Sequence, residues 1–556
     1  MTGSAHEYTA TLVVGEDEYP LGIRRAGRIV LDDGRAPHVE ANVDIALPDE
    51  ALQLVLDPRQ AARVRLDVTA TFPTTTQTRT FDLSLRSRPI RHGRGAFGRV
   101  TLASDEALLE TFRAGADVDL FDLAGSLRDV INNVLAAVIP GAALEATPDA
   151  DADVTPYWEV TNLITNPSAE VNTTGWGAGT GTSAVSRITG AVPPTVSGVA
   201  TFRWTASAAT AYISGTTSYP VRAGERHVFS GWVLAGKGGL NKDYQPMIRF
   251  VDAGGATIRD VFGPVVGSTT EWERFEQIAE APAGARSATL HIRSFGNAVG
   301  EFSYCDALMF HEGDRAVPYF DGAQPDDANY SYEWSGDTAH ASPSVRVPFV
   351  ERRPEALVWR AGDSALDFLH PLVQAAGLRL VCDGERRWTL RGENYSAPGT
   401  LSVREGVNMI EGEDVIDLDR GLWCDAQATI YRDPARVLPD QVDYYELNSP
   451  PTVVNRVVVD AAYVGPGRSE YAVRRAQGRG REVTVTLVAD WRTHAEQPAR
   501  FTLEGAPVQL GRTSRVAFDL ATDRMDVASR TSDLIEGSVD ALLGTVDALV
   551  GTVNDL

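Results

Sequence analysis

Residues 226–235 read RHVFSGWVLA, 245–255 QPMIRFVDAGG, 256–263 ATIRDVFG, 273–282 ERFEQIAEAP and 287–295 SATLHIRSF. In these runs apolar and polar residues tend to alternate, and Gly, Pro, Asp or Ser closes them. Successive side chains of a strand point to opposite faces, so a period of two marks a strand with one face in a core and the other in water. Several such runs in close succession predict an antiparallel β-sandwich. The segment around them, from about Pro156 to Arg346, is poor in charge and rich in Gly, Ser and Thr. It also holds six of the ten tryptophans: Trp158, Trp176, Trp204, Trp232, Trp272 and Trp334. It reads as one all-β domain with almost no helix.

The flanks have a different texture. EYTATLVVG (7–15), RIVLDDG (28–34), HVEANVDIALP (38–48), ARVRLDVTATFP (62–73) and TRTFDLSLRSRPI (78–90) read as strands, and the last two suit a barrel. Helical spacing follows at 104–112, at 123–137 and at 363–376, where Pro371 is expected to kink or split the helix. LRLVCDGERRWTLRG (378–392) predicts two strands about an Asp383-Gly384 turn, and REVTVTLVADW (481–491) a further strong strand. Because the flanks resemble each other, the organisation predicted is a discontinuous body, 1–155 and 346–530, with the sandwich at 156–345 inserted through an exposed loop; the alternative is a linear order with the sandwich strung between separate domains. In 531–556, Val539, Leu542, Val546, Leu549, Val553 and Leu556 recur at alternating spacings of three and four. That is the a/d seam of a short coiled coil. The fold class expected is mainly β with α+β parts.

Apolar residues make up 43% of the 556 and charged residues 23%, which excludes a mainly disordered chain. The net charge of −24 gives no global footprint for nucleic acid. The most apolar stretch, Val134–Leu144, is interrupted by Pro140 and is too short to cross a bilayer. Cys305, Cys382 and Cys424 form no CxxC pair and read as buried small hydrophobes. The nine histidines form no HExxH, and GxSxG and P-loop patterns are missing. No residue pattern points to catalysis, and the chain is expected not to be an enzyme. Arg474, Arg475, Arg479 and Arg481 read as a basic loop suited to phosphate or to an acidic neighbouring subunit.

NLITNPSAE over Asn162–Glu170, followed by Gly175-Trp176, resembles the opening strand of jelly-roll carbohydrate-binding modules, and YCDALMF over Tyr304–Phe310 resembles their closing strand. The stretch Pro318–Gly322, Tyr332–Gly336 and Ser342–Ser344 resembles the tail that follows such modules in phage minor tail proteins. More weakly, the flanks resemble the tail-tip hub of long-tailed phages, best at Ser364–Arg391. The resemblance implies a virion protein, folded in the host cytoplasm without a secretion signal. It also implies a homotrimer that closes the tail tube beside the distal tail protein, the tape measure and a tip fibre. Host cell-wall glycan would be bound, genome DNA met only in passage, and no membrane entered. With Val at a and Leu at d the heptads by themselves lean towards dimers, so the trimer rests on the resemblance.

Sugars stack their CH faces on aromatic rings while amides and charges bind the hydroxyls. Trp176, Trp204, Tyr212, Trp232 and Tyr244, with Asn241 and Arg249, are therefore the candidate glycan contacts. The resemblance further implies a structural calcium between Glu170 and Asp306, with carbonyls near Ser168 completing its shell. The alternative function is a glycoside hydrolase or wall-degrading enzyme with an appended module, which needs two close carboxylates in a cleft. A cellular adhesin needs an export signal or anchor.

Overall fold

The computed structural model describes residues 4–146, 150–190, 194–236, 242–268, 271–416, 423–433 and 439–531. Strand accounts for 47% and helix for 11%, so the chain is mainly β with α+β parts. It divides into two compact units. One is built from both ends of the chain, up to Pro156 and from Arg352 onward, and the other is Tyr157–Glu351. The heptad positions Val539, Leu542, Val546, Leu549, Val553 and Leu556 lie outside the described residues, as does Asn241.

In the discontinuous unit, described strands from both ends of the chain share one fourteen-stranded sheet. They meet where Ile23–Asp32 pairs antiparallel with Gln509–Asp519, in register from Arg28 opposite Asp519 to Asp32 opposite Arg515. The alternation seen in the sequence packs Leu12, Ile29, Val43, Val64, Leu66, Phe81, Leu83, Val485, Val516 and Phe518 into one core. Trp491 joins them by stacking on Phe518, 4.2 Å between ring centres. The expected barrel is not closed. The sheet runs instead from an edge at Asp17–Leu21 to one at Met409–Ile416. Pro20 lacks an amide hydrogen, and Glu411, Glu413 and Asp414 place charge along the other edge; both features discourage further pairing.

A second core holds the helices Leu127–Val138 and Ala365–Ala375 against the hairpin Arg379–Cys382 and Trp388–Arg391. Ser126 and Ser364 cap the two helices by accepting from the amides of Asp129 and Asp367. The second helix continues through Pro371 as one element. The arginine-rich segment expected as a loop is in part a helix, Arg468–Gln477, which carries Arg474 and Arg475 in its last turn. Three glycines and high polarity hid that helix from composition, although Val473 and Ala476 bury one face of it.

The Tyr157–Glu351 unit is a two-layer sandwich. A five-stranded sheet, centred on Phe302–Glu312, faces a seven-stranded one centred on Ser287–Ser294 and Lys242–Val251. Their inner faces meet through Trp176, Phe202, Trp204, Phe229, Tyr244, Ile248, Phe250, Phe275, Leu290, Ile292 and Phe310. Tyr330–Trp334, Ser344–Pro348 and Val160–Asn162 form a small additional sheet.

Candidate functional site

Three of the proposed sugar contacts are core residues. Trp204 and Tyr244 have no exposed surface and Trp176 is 5% exposed. Trp204 Nε1 donates to Ser294 Oγ, and Tyr244 Oη donates to Ser303 Oγ. A ring buried between two sheets presents no face to a sugar, so these three hold the sandwich together. Trp232 is half-buried on the five-stranded sheet, with Gly231 and Val233 beside it turned inward towards Leu308 and the core.

Tyr212 and Arg249 are placed differently. Both lie on the outer face of the seven-stranded sheet, and register sets them among residues that were not anticipated. Tyr212, Arg293 and Gln245 face one another across three strands. Ser214, His291, Met247 and Phe262 form the next row. Thr289, Arg249 and Asp260 form the third. Parity explains the set. In Lys242–Val251, Tyr244, Ile248 and Phe250 point into the core, so Gln245, Met247 and Arg249 must point out. In Ser287–Ser294, Ala288, Leu290 and Ile292 point in, so Thr289, His291 and Arg293 point out. This parity was available in the sequence, but which of its two faces pointed outward was not.

The groups on this face hold one another in place. Arg249 grips Asp260 with two bonds, Nε to Oδ1 at 2.7 Å and Nη2 to Oδ2 at 2.9 Å. That hydrogen-bonded pair holds the Asp260 carboxyl below its ordinary range. Arg293 Nε donates to Gln245 Oε1 at 2.8 Å, while Gln245 Nε2 donates to the carbonyl of Gly263. The Arg293 guanidinium also lies 4.3 Å from the centre of the Phe262 ring, which is 44% exposed. His291 pairs with Ser214 Oγ at 2.9 Å and with Thr289 Oγ1 at 3.1 Å. Burial, and then Arg249, lower its pKa to about 4, so the ring is neutral at physiological pH. The result is an open face with one exposed ring, one phenol, two guanidiniums, one carboxylate and neutral donors and acceptors. It suits a neutral polyhydroxylated ligand that stacks on Phe262 or Tyr212 and shares hydroxyls with the polar rows.

Glu170 and Asp306 are brought to one place by the segment between them. Asp306, fully buried, accepts from the amides of Val196 at 2.8 Å and Ser197 at 3.2 Å. Glu170 accepts from Val199 at 3.0 Å and Ala200 at 3.1 Å. Gly198 sits between these amide pairs at φ +62°, and a Cβ there would lie 2.2 Å from Glu170 Oε1, so a side chain at this position would displace the Glu170 carboxylate. Ala169 and Ala307, next to the two acids, hold left-handed backbone at φ 58° and 52°. Burial raises the Asp306 carboxyl to about 7, and the neighbouring Glu170 adds to the rise against three backbone donors. The carbonyls of Ala169 and Glu170, where calcium was expected to find further oxygens, accept instead from Arg187 at 2.6 and 2.7 Å. Among the described residues no group of three or more His, Cys, Asp or Glu side chains is arranged to hold a metal ion. The carboxylate pair alone supplies too few oxygens for a calcium shell.

No protein-family model and no curated protein matches this chain. Among solved structures, it is similar to the prophage MuSo2 43 kDa tail protein of Shewanella oneidensis, at 7% identity and TM-score 0.38, over 95% of this chain and 100% of that one. It is similar to a tail protein of Neisseria meningitidis MC58 at 9% identity and TM-score 0.38, over 97% and 99% of the two chains. A part of it is similar to the CBM22-1 xylan-binding domain of Paenibacillus barcinonensis Xyn10C, at 16% identity and TM-score 0.22, over 28% of this chain and 94% of that domain. No helix among the described residues is long and apolar enough to cross a membrane.

Proposed function

We propose that this chain is a structural, non-catalytic component of a long-tailed phage tail tip, and that its sandwich unit binds glycan on the host surface. The tail-tip part rests on the resemblance of the flanks, best at Ser364–Arg391, to tail-tip hubs, and of Pro318–Gly322, Tyr332–Gly336 and Ser342–Ser344 to the tail that follows carbohydrate-binding modules in phage minor tail proteins. One observation carries the glycan part: an outer sheet face on which register aligns Phe262, Tyr212, Arg249, Asp260, Arg293 and His291, with Arg249 bonded to Asp260, Arg293 bonded to Gln245 and lying over Phe262, and His291 bonded to Ser214 and Thr289. Groups locked this way lose little freedom when a ligand arrives. In this reading the chain assembles as a homotrimer that closes the tail tube, next to the distal tail protein, the tape measure and a tip fibre.

Full-length protein on an array of bacterial and plant wall polysaccharides tests the binding. Phe262→Ala should abolish the signal and Trp232→Ala should leave it. No signal from any polysaccharide would make the sandwich a spacer, and release of reducing sugar would favour the hydrolase reading. Light scattering tests the assembly: a trimer that dissociates when 532–556 are removed supports it, and a stable monomer overturns it. Calcium at Glu170 and Asp306 belongs to the same proposal. It requires Arg187 to release the two carbonyls, and a melting temperature unmoved by EGTA would count against it.

A further inference from the structure

The two arginines on the outer face of the seven-stranded sheet are held differently. Arg249 directs Nε and Nη2 to the Asp260 carboxylate. Arg293 directs the same two nitrogens to one neutral atom, Gln245 Oε1. Its guanidinium lies 4.3 Å from the centre of the Phe262 ring and 4.5 Å from that of Phe295. Asp243, the next outward acid along Lys242–Val251, is exposed and forms no ion pair with Arg293 among the described residues.

A guanidinium can offer parallel N–H groups along two edges, Nε–Nη2 and Nη1–Nη2. Gln245 takes the first. The second has no protein acceptor, and Nη1, which donates to no protein atom, is reached by solvent. Gln245 is itself tied to the carbonyl of Gly263. That bond and the two neighbouring rings fix the plane of the group, so the open edge is aimed before a ligand arrives. Tyr212, on Ala211–Gly215, stands directly opposite Arg293 in register. A pyranose stacked on Tyr212 carries its C5 substituent at the rim of its ring and can turn that rim towards Arg293. A carboxylate there meets the open edge with two parallel, charge-assisted bonds, whereas the hydroxymethyl group of a neutral sugar has one oxygen to offer.

We infer that the polyhydroxylated chain taken by this face is neutral along most of its length and carries uronic acid units, one carboxylate pairing with the Nη1–Nη2 edge of Arg293. This rests on the glycan reading and adds to it the charge of the ligand.

The test is isothermal titration of the full-length protein with hyaluronan, teichuronic acid and gum arabic, each beside its carboxyl-reduced form, in which every uronic acid has become the neutral sugar. Poly(glycerol phosphate) serves as a polyanion without carboxylate, and the neutral polysaccharides of the array are titrated alongside. At least one uronate polymer should bind, more weakly as salt is added, and its reduced form should bind about 10- to 150-fold less tightly, as loss of a charged hydrogen-bonded pair does. Arg293→Gln should bind the acidic and reduced forms alike, and Arg293→Glu should reverse their order. A reversal cannot come from misfolding, and the comparison of acidic with reduced polymer in the wild type needs no variant. Equal affinity for the two forms, or poly(glycerol phosphate) binding where no uronate polymer does, would overturn the inference. Binding of neutral polymers alone would overturn it and leave the glycan reading standing, while no binding by any polymer would remove both.

Discussion

Arg249→Ala separates a binding role from a structural one. Its guanidinium makes two bonds to Asp260, with the side chains 38% and 29% exposed. An ion pair this open to solvent contributes at most about 1 kcal/mol to stability. For a unit of this size that corresponds to a fall of about 2–4 °C in melting temperature. A hydrogen bond from a guanidinium to a ligand hydroxyl is worth about 1.5–3 kcal/mol. The affinity for a polysaccharide identified on the array should therefore fall by about 10- to 150-fold. Isothermal titration and calorimetry on the same full-length variant measure both quantities. Arg249→Lys keeps the charge but loses the fork, and should recover only part of the affinity. Unchanged affinity in Arg249→Ala would show that this face is not the binding surface. A fall of ten degrees or more would show that Arg249 is structural.

Trp204→Ala should destabilise the sandwich by about 3–5 kcal/mol, because it empties a fully buried site; its binding constant, measured below its own melting point, should match wild type. Trp491→Ala should cost the discontinuous unit a similar amount, since the ring stacks on Phe518 and donates to His6 Nδ1 at 3.1 Å; calorimetry that finds less than about 1 kcal/mol would refute its place in the core. Glycan binding should be flat from pH 8 to 5, because His291 is neutral until about pH 4, and a midpoint near 6.5 by titration would contradict that burial. His38 is lowered to about 3 by burial and by Arg391 and Arg379. Its unfolded form binds a proton below about 6.5, so its contribution to stability is present above that pH and is lost as pH falls towards 3. A His38→Gln variant should show a shallower acid loss in urea titrations.

Much of the architecture was legible because it depends on local period. Alternation in 226–295 identified sandwich strands, and Ser364 with its following apolar spacing identified a helix, from residues a few positions apart. The helix Arg468–Gln477 was missed because its buried face holds only Ser469, Val473 and Ala476, of which two are apolar, and its stability comes from neighbours distant in sequence. The open sheet was likewise beyond reach, since closure depends on which edges meet. The site shows the boundary most clearly. Residue type and strand period could propose Tyr244 and Arg249 alike, and their odd separation in an unbroken strand already requires opposite faces. Which face is buried is decided by the second sheet, which covers Tyr244 and leaves Arg249 beside Asp260. The row of Phe262, Met247, His291 and Ser214 comes from four strands, of which Lys242–Val251 and Thr257–Phe262 form a hairpin and the other two are separated from it by intervening strands. Hydrogen-bond register between strands set that row, and register is a property of the packed sheets.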